Sequence, residues 1–261
     1  MKLYRIMAVV KRHSLLTFRR FDRILNVFYW PFLNIVLWGI TSAWMQQLSN
    51  QPKLLPLVLS GLALWQIVFR VNLETAKGLL EELLCHNVVN LFSTPLTLAE
   101  WIVGMMILGG INMLLVMITC SAALWILYGI NIWMLGWVIV PFMFSLLVSG
   151  WSIGFFICGL LINWGLKAQD FVYTIGWIFA PFSAIYYPLS VLPPLVQTVG
   201  RFLPMSYVFE AMRSVIETGT FSGDFIVTSF LLNIVYFFLA LFFLGYMFER
   251  SKEKGLARLD M

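Results

Sequence analysis

The sequence predicts an all-α integral membrane protein with six transmembrane helices. Of its 261 residues, 61% are hydrophobic and 11% are charged, whereas soluble domains are about half apolar and about a quarter charged. Several stretches lack any charged residue for the ~20 residues that a transmembrane helix needs. Lysine and arginine also concentrate on one side of the predicted topology, as membrane proteins require. This composition excludes a water-soluble enzyme.

The first segment, residues 1–23, predicts an amphipathic helix lying in the membrane interface. It contains seven lysine and arginine residues, and its apolar side chains recur at helical spacing. These apolar-face positions are Leu3, Ile6, Met7, Val10, Thr17, Phe18 and Phe21. A basic tail that only orients the protein is the alternative.

A six-span permease domain is predicted over residues 24–250. The charge-free stretches place the spans at 24–45, 54–69, 101–127, 133–162, 171–187 and 225–248. The third and fourth spans share one stretch, so we expect a turn at residues 128–131. The fourth span is longer than the ~30 Å hydrocarbon core needs, which predicts strong tilt or a kink near Pro141 or Gly150. The spacing of Gly150 and Gly154 indicates close helix packing.

The distribution of basic residues predicts that both termini are cytoplasmic. With this orientation, 14 of the 17 lysine and arginine residues lie inside, and residues 251–261 form a cytoplasmic tail. The positive-inside rule favours this arrangement. We therefore expect a multi-pass protein of the cell (inner) membrane.

A cytoplasmic helix is predicted over residues 79–92, between the second and third spans. Leu80, Leu83, Leu84, Val88 and Leu91 form one apolar stripe. The remaining face is polar, and Pro95 ends the pattern. Such a helix suits insertion into a groove of a partner protein, although a helix lying on the membrane would show the same pattern.

An outer segment between the fifth and sixth spans is rich in proline. The five prolines are Pro181, Pro188, Pro193, Pro194 and Pro204. They predict short helices that form a re-entrant hairpin over residues 189–219. Glu210 and Arg213 can pair on one helix face. Such a hairpin is typical of a gate, and a passive lid is the alternative.

Four residues inside the spans are candidates for lining a transport pathway: Asn34, Trp38, Gln66 and Trp177. Tryptophan rings can stack on a substrate, and amides can line a polar route. Tryptophan is also enriched at membrane interfaces, and buried amides also form bonds between helices. Both interpretations remain open for these four positions.

Together these features resemble the type-2 permeases of ATP-binding-cassette exporters, over nearly the whole chain. The most specific similarity is the outer stretch with Tyr187-Pro188, Leu192-Pro193, Pro204, Tyr207, Glu210 and Arg213. Leu91–Pro95 followed by Glu100 also resembles the family's loop before span three.

The resemblance implies a dimer, expected to be a homodimer, that binds two copies of a cytoplasmic ATPase subunit. It implies coupling to the ATPase through Glu81, Glu82, His86, Asn87, Asn90 and Phe92. It implies an outer gate formed by Pro188, Leu192, Pro193, Pro204, Tyr207, Glu210 and Arg213. ATP and Mg²⁺ would then be bound by the partner, with no cofactor on this chain.

The sequence contains no G-x-x-x-x-G-K-[ST] motif, no metal-binding motif and no nucleophile elbow. We therefore expect a permease and not an enzyme. The start around Arg20–Arg23, Trp30-Pro31 and Trp38-Gly39 resembles the branch that exports nodulation factors and drugs, which favours an amphipathic lipid, glycolipid or drug-like cargo. Export of polysaccharide or lipid-linked glycan is an alternative. An ATP-independent secondary transporter and a membrane-embedded enzyme or scaffold are further alternatives.

Overall fold

The protein is predominantly helical over the residues that the computed structural model describes, which are 1–19, 21–49 and 51–253. No strand occurs in these residues. Their α-helices are α1 (Leu3–Arg19), α2 (Phe21–Ser49), α3 (Leu54–Leu84), α4 (Val88–Ser93), α5 (Leu98–Tyr128), α6 (Ile139–Trp164), α7 (Gln169–Phe179), α8 (Pro194–Phe202), α9 (Pro204–Thr218) and α10 (Gly223–Glu253).

Four helical stretches of the described chain are long and apolar enough to cross a membrane. They are Leu54–Leu84, Leu98–Tyr128, Ile132–Phe182 and Gly223–Glu253. The third stretch contains both α6 and α7, which are joined by a 3-10 turn at Gly165–Ala168. The fold is therefore compatible with a multi-pass membrane protein. The count of six spans stays a prediction.

Helix α3 is the centre of the bundle and packs against α2, α5, α6 and α7. Its contact with α6 is close because glycines face it. A Cβ atom on Gly150 would lie 2.8 Å from Cβ of Val71, and one on Gly154 would lie 2.7 Å from Cβ of Thr75. Absence of a side chain at both positions lets the two backbones approach. The predicted role of this glycine pair is confirmed.

The helices define two ends of the bundle. We call the end where α3 stops and α5 begins the α1 end, because α1 packs there against α5. We call the opposite end, where α3 and α10 begin, the α8 end. There Lys53, just before α3, donates to the carbonyl of Glu217 near the end of α9 (2.7 Å).

The turn predicted at residues 128–131 is confirmed, but the kink of the fourth span lies elsewhere. Gly129 ends α5 with a φ of 64°. A 3-10 segment, Ile132–Val138, follows and breaks at Gly136, which has a φ of 65° and a ψ of -147°. Helix α6 then runs without interruption past Pro141 and Gly150. Pro141 lies in the first turn of α6, where its missing N–H costs no helical hydrogen bond.

The helices do not coincide with the predicted membrane spans, and the predicted cytoplasmic helix is divided. Helix α3 does not end near Phe69 but continues to Leu84, and the helix predicted over 79–92 is divided between α3 and α4. The division lies at residues 85–87, where His86 adopts a φ of 50°. Helix α7 ends at Phe179, before the predicted end of the fifth span near Tyr187, because Pro181 follows.

Helix α1 confirms that residues near the N-terminus are helical, with a buried face that differs in part from the predicted one. Ile6, Val9, Val10 and His13 are buried, whereas Leu3 and Met7 are exposed. Thr17, Phe18 and Phe21 lie outside the described side chains. Of the predicted tail 251–261, residues 251–253 extend α10 and residues 254–261 lie outside the described chain.

Candidate functional site

At the α1 end, a buried glutamate connects three segments. Glu82 lies in the last turn of α3 and is only 1% exposed. Its Oε2 accepts hydrogen bonds from Nη2 of Arg12 in α1 (2.8 Å) and from Nδ2 of Asn87 (2.6 Å). The carboxylate therefore holds α1 and the start of α4 against α3. Glu82 is therefore an internal contact in this structure, and its coupling role stays a prediction.

A second buried glutamate repeats this arrangement at the start of α5. Glu100 forms a capping box with Thr97: its backbone N–H donates to the Thr97 hydroxyl, and its Oε2 accepts from the Thr97 N–H (3.0 Å). Its Oε1 accepts from the backbone N–H of Lys2 (2.8 Å). Arg5 lies 3.5 Å from Glu100 Oε2 and also donates to the carbonyl of Pro95. Both ends of the 85–97 connection are thus fixed to α1.

Between these two glutamates lies the tip of the connection, residues 84–90, which carries several exposed side chains. Leu84 is 53% exposed, and Cys85, His86 and Asn90 are also exposed. Phe92 faces inward, with its ring 4.6 Å from the Phe248 ring of α10.

The predicted coupling residues are therefore separated by the fold. His86 and Asn90 lie on the exposed tip, and Glu81 and Asn87 are partly buried. Glu82 and Phe92 are instead internal contacts. We define the tip as residues 84–90.

At the α8 end, Glu210 and Arg213 support a non-helical stretch. Glu210 Oε1 accepts from the backbone N–H of Leu189 (2.7 Å) and from Nη1 of Arg213 (3.3 Å). Nη2 of the buried Arg213 donates to the carbonyl of Ala184 (3.1 Å), whose φ is 57°. The pKa of Arg213 lies below its ordinary value, because the effect of burial exceeds the opposing effect of Glu210 and Glu217. The predicted Glu210–Arg213 pair is confirmed, and it braces residues 184–189.

The other predicted gate residues make separate local contacts at the same end of the bundle. The Tyr207 hydroxyl donates to the carbonyl of Arg201 (2.9 Å), and the Leu192 carbonyl accepts from Nε2 of Gln197 (2.8 Å). The Pro204 carbonyl accepts from the Ser229 hydroxyl (2.6 Å). Pro193 precedes α8, and the Pro188 carbonyl accepts from the N–H of Val191 (3.1 Å).

The predicted pathway residues lie against different partners. Trp38 stacks on Tyr186, with ring centroids 4.5 Å apart and an interplanar angle of 21°. The Trp177 ring lies 4.9 Å from that of Phe69 on α3. Gln66 is buried, and Asn34 donates to the carbonyl of Trp30 one turn earlier (2.9 Å). These contacts do not bring the four residues into one site.

Two cavities lie among the helices, and the second includes Gln197 and Arg201, which sequence reasoning missed as site residues. One, of about 420 Å³, lies between α6, α9 and α10 and includes Asn233. Asn233 is bonded at both amide atoms: Oδ1 accepts from Ser149, and Nδ2 donates to Ser145.

The other cavity, of about 350 Å³, lies at the α8 end. Among the side chains that line it are Gln197, Arg201 and Glu210. The spacing of Gln197 and Arg201 by one helical turn was a possible signal, but α8 was predicted only as a gate element.

In the described part of the chain, no three histidine, cysteine, aspartate or glutamate side chains lie where they could hold a metal ion. Comparison with protein-family models gave no match, and comparison with curated proteins also gave none.

Proposed function

We propose that this chain is the membrane-spanning permease subunit of an ATP-binding-cassette exporter. Two copies, in a homodimer, would form the pathway, and two copies of a separate ATPase subunit would drive it. The observation that carries the proposal is the tip, residues 84–90, whose side chains Leu84, His86 and Asn90 are exposed at the end of the long central helix.

The length of α3 supports this assignment. Its 31 residues extend over ~46 Å at about 1.5 Å per residue, against a hydrocarbon core of ~30 Å. About ten residues therefore project beyond the core if the α8 end lies at one membrane boundary. The projecting part would be cytoplasmic, and the tip would reach beyond the headgroups to a soluble partner.

The chemistry of the tip suits a protein groove. It combines the exposed apolar side chain of Leu84 with the polar side chains of His86 and Asn90. An apolar anchor surrounded by polar contacts is the usual composition of a binding surface.

The two buried glutamates support a mechanical role. Glu82 and Glu100 tie α1 to α3 and α5 on either side of the tip. A push on the tip would therefore be transmitted to packed helices, as rigid-body switching requires. ATP and Mg²⁺ would be bound by the ATPase, and this chain would perform no chemistry itself.

We place both termini in the cytoplasm and the gate at the α8 end on the outer side of the cell membrane. The braced stretch 184–189 and the helices α8 and α9 would form that gate, with Glu210 and Arg213 holding it closed. The proposed cargo is an amphipathic lipid, glycolipid or drug-like molecule.

The test is purification of the tagged full-length chain from its native host in mild detergent, followed by mass spectrometry and an ATPase assay. We expect an equimolar P-loop ATPase with vanadate-sensitive turnover. Leu84→Asp and Asn90→Ala should reduce the recovered ATPase. Glu249→Ala, an exposed change on α10 at the same end, is the matched control. The proposal would be contradicted if Leu84→Asp recovered as much ATPase as the unmodified chain. It would also be contradicted if an intact dimer recovered no ATPase at all.

A further inference from the structure

Helix α8 has one face suited to lipid. Leu195, Val199 and Phe202 are exposed and lie at positions i, i+4 and i+7, with Leu195 83% exposed. A short helix with an exposed apolar stripe lies at the boundary between headgroups and acyl chains. The neighbouring helix α10 is long and apolar enough to cross a membrane and begins at Gly223. These two features place α8 at the level of the headgroups.

The opposite side of α8 faces the 350 Å³ cavity. Its lining includes Gln197 and Arg201 from α8, Tyr207 and Glu210 from α9, Phe225 from α10 and Ser190. The cavity therefore combines several polar side chains with two aromatic walls, and it lies beside the helix whose apolar face is suited to lipid.

Several lining groups retain hydrogen-bonding capacity. The two contacts of Glu210 are both made by Oε1, so Oε2 is available as an acceptor. Gln197 donates through Nε2 to the carbonyls of Ser190 and Leu192, which leaves its Oε1 as an acceptor. The Arg201 guanidinium has no hydrogen bond or ion pair with any residue in the described ranges. The cavity thus offers a cationic donor and an anionic acceptor.

We propose that this cavity binds the phosphoethanolamine headgroup of a membrane phospholipid. The phosphate would pair with Arg201, and the ammonium would donate to Oε2 of Glu210 and Oε1 of Gln197. A charge-assisted pair at each end matches a zwitterion. A purely anionic headgroup would leave Oε2 of Glu210 without a cationic donor. A choline headgroup has no N–H to donate to either acceptor.

The test uses the unmodified full-length chain in detergent, with bound lipids counted by native mass spectrometry. Phosphatidylethanolamine, phosphatidylglycerol and phosphatidylcholine with identical acyl chains compete at equal concentrations. We expect phosphatidylethanolamine to bind most tightly. A preference for either of the other lipids, or equal binding of all three, would overturn the proposal. This comparison needs only the unmodified chain.

Variants then assign the contacts. Glu210→Gln keeps the oxygen that braces Leu189 but removes the charge, and we expect about tenfold weaker binding of phosphatidylethanolamine, as for one lost charge-assisted hydrogen bond. The matched control is Glu217→Gln, the same change at an exposed position of α9, which should leave binding unchanged. Arg201→Gln should weaken both phosphatidylethanolamine and phosphatidylglycerol. Equal effects of the two glutamate variants, or none from Arg201→Gln, would contradict the assignment.

This inference does not rest on the exporter assignment, because the binding assay needs neither an ATPase nor transport. Glycerophosphoethanolamine, which lacks acyl chains, separates headgroup recognition from lipid contact with α8. It should compete with phosphatidylethanolamine, but more weakly than the intact lipid does. Failure to compete at any concentration would show that the cavity does not recognise the headgroup.

Discussion

Nη2 of Arg12 lies 2.8 Å from Oε2 of Glu82, and this contact joins the N-terminal helix to the last turn of the central helix. The two residues are 70 positions apart in the sequence. Glu82 is buried, whereas the Arg12 side chain is 43% exposed. The pair is thus asymmetric, and its two halves should respond differently to substitution.

Removal of the arginine should cost more stability than removal of the glutamate charge. Arg12→Ala leaves a buried carboxylate with Asn87 as its one remaining partner among the described side chains, and we expect a loss of about 2–3 kcal/mol in the free energy of unfolding. Glu82→Gln keeps an acceptor for Arg12, and water can also reach the half-exposed guanidinium. This variant should therefore lower the free energy of unfolding by only about 1 kcal/mol. Thermal unfolding of the purified protein measures both. The exposed pair Lys252–Glu249 provides the control, because Lys252→Ala should cost at most ~0.5 kcal/mol. Equal losses in the first two variants would contradict the asymmetry.

Substitution of Glu100 should release the start of α1. Glu100→Ala removes the acceptor of the Lys2 N–H and the partner of Arg5 as well as half of the capping box. We expect faster amide hydrogen exchange over residues 3–10. Thr97→Ala removes only the cap hydroxyl, costs about 1 kcal/mol, and should leave exchange in α1 unchanged. If both variants accelerate exchange equally, α1 is not held by Glu100.

A single methyl group at Gly150 should separate α3 from α6. Its Cβ would lie 2.8 Å from that of Val71 and 3.1 Å from the carbonyl of Val68, and overpacking of this kind costs about 1–3 kcal/mol. Gly245, within α10, has no atom within 4 Å of an added Cβ. Gly245→Ala should therefore be neutral or stabilise by up to ~1 kcal/mol. Unfolding temperatures distinguish the two outcomes, and an equal loss in both variants would refute close packing as the reason.

Glycine at position 86 should stabilise the break between α3 and α4. His86 holds a φ of 50°, and a side chain in this left-handed region costs about 1 kcal/mol. His86→Gly should therefore have a higher free energy of unfolding than His86→Ala by about this amount, since both variants lose the imidazole. Denaturant unfolding measures the difference. Identical stabilities would indicate that the backbone at this position carries no strain.

The sequence by itself determined the features that depend on local pattern. Apolar runs predicted the long helices, Gly129 predicted the turn after α5, and the Gly150–Gly154 spacing predicted the close contact with α3. Glu210 and Arg213, three positions apart, predicted their own pairing. Each of these rests on neighbours within one or two helical turns, so no knowledge of the remaining chain was needed.

The tertiary structure alone decided which charged side chains face inward. Glu82 was predicted on the exposed face of a continuous helix, but contacts with α1, 70 residues earlier, bury it. Glu100 is likewise fixed by Lys2 across 98 residues. Arg201 lines a cavity because α8, α9 and α10 come together at the α8 end. A helical pattern shows which residues share a face, whereas the partner of that face depends on distant segments and is set by packing.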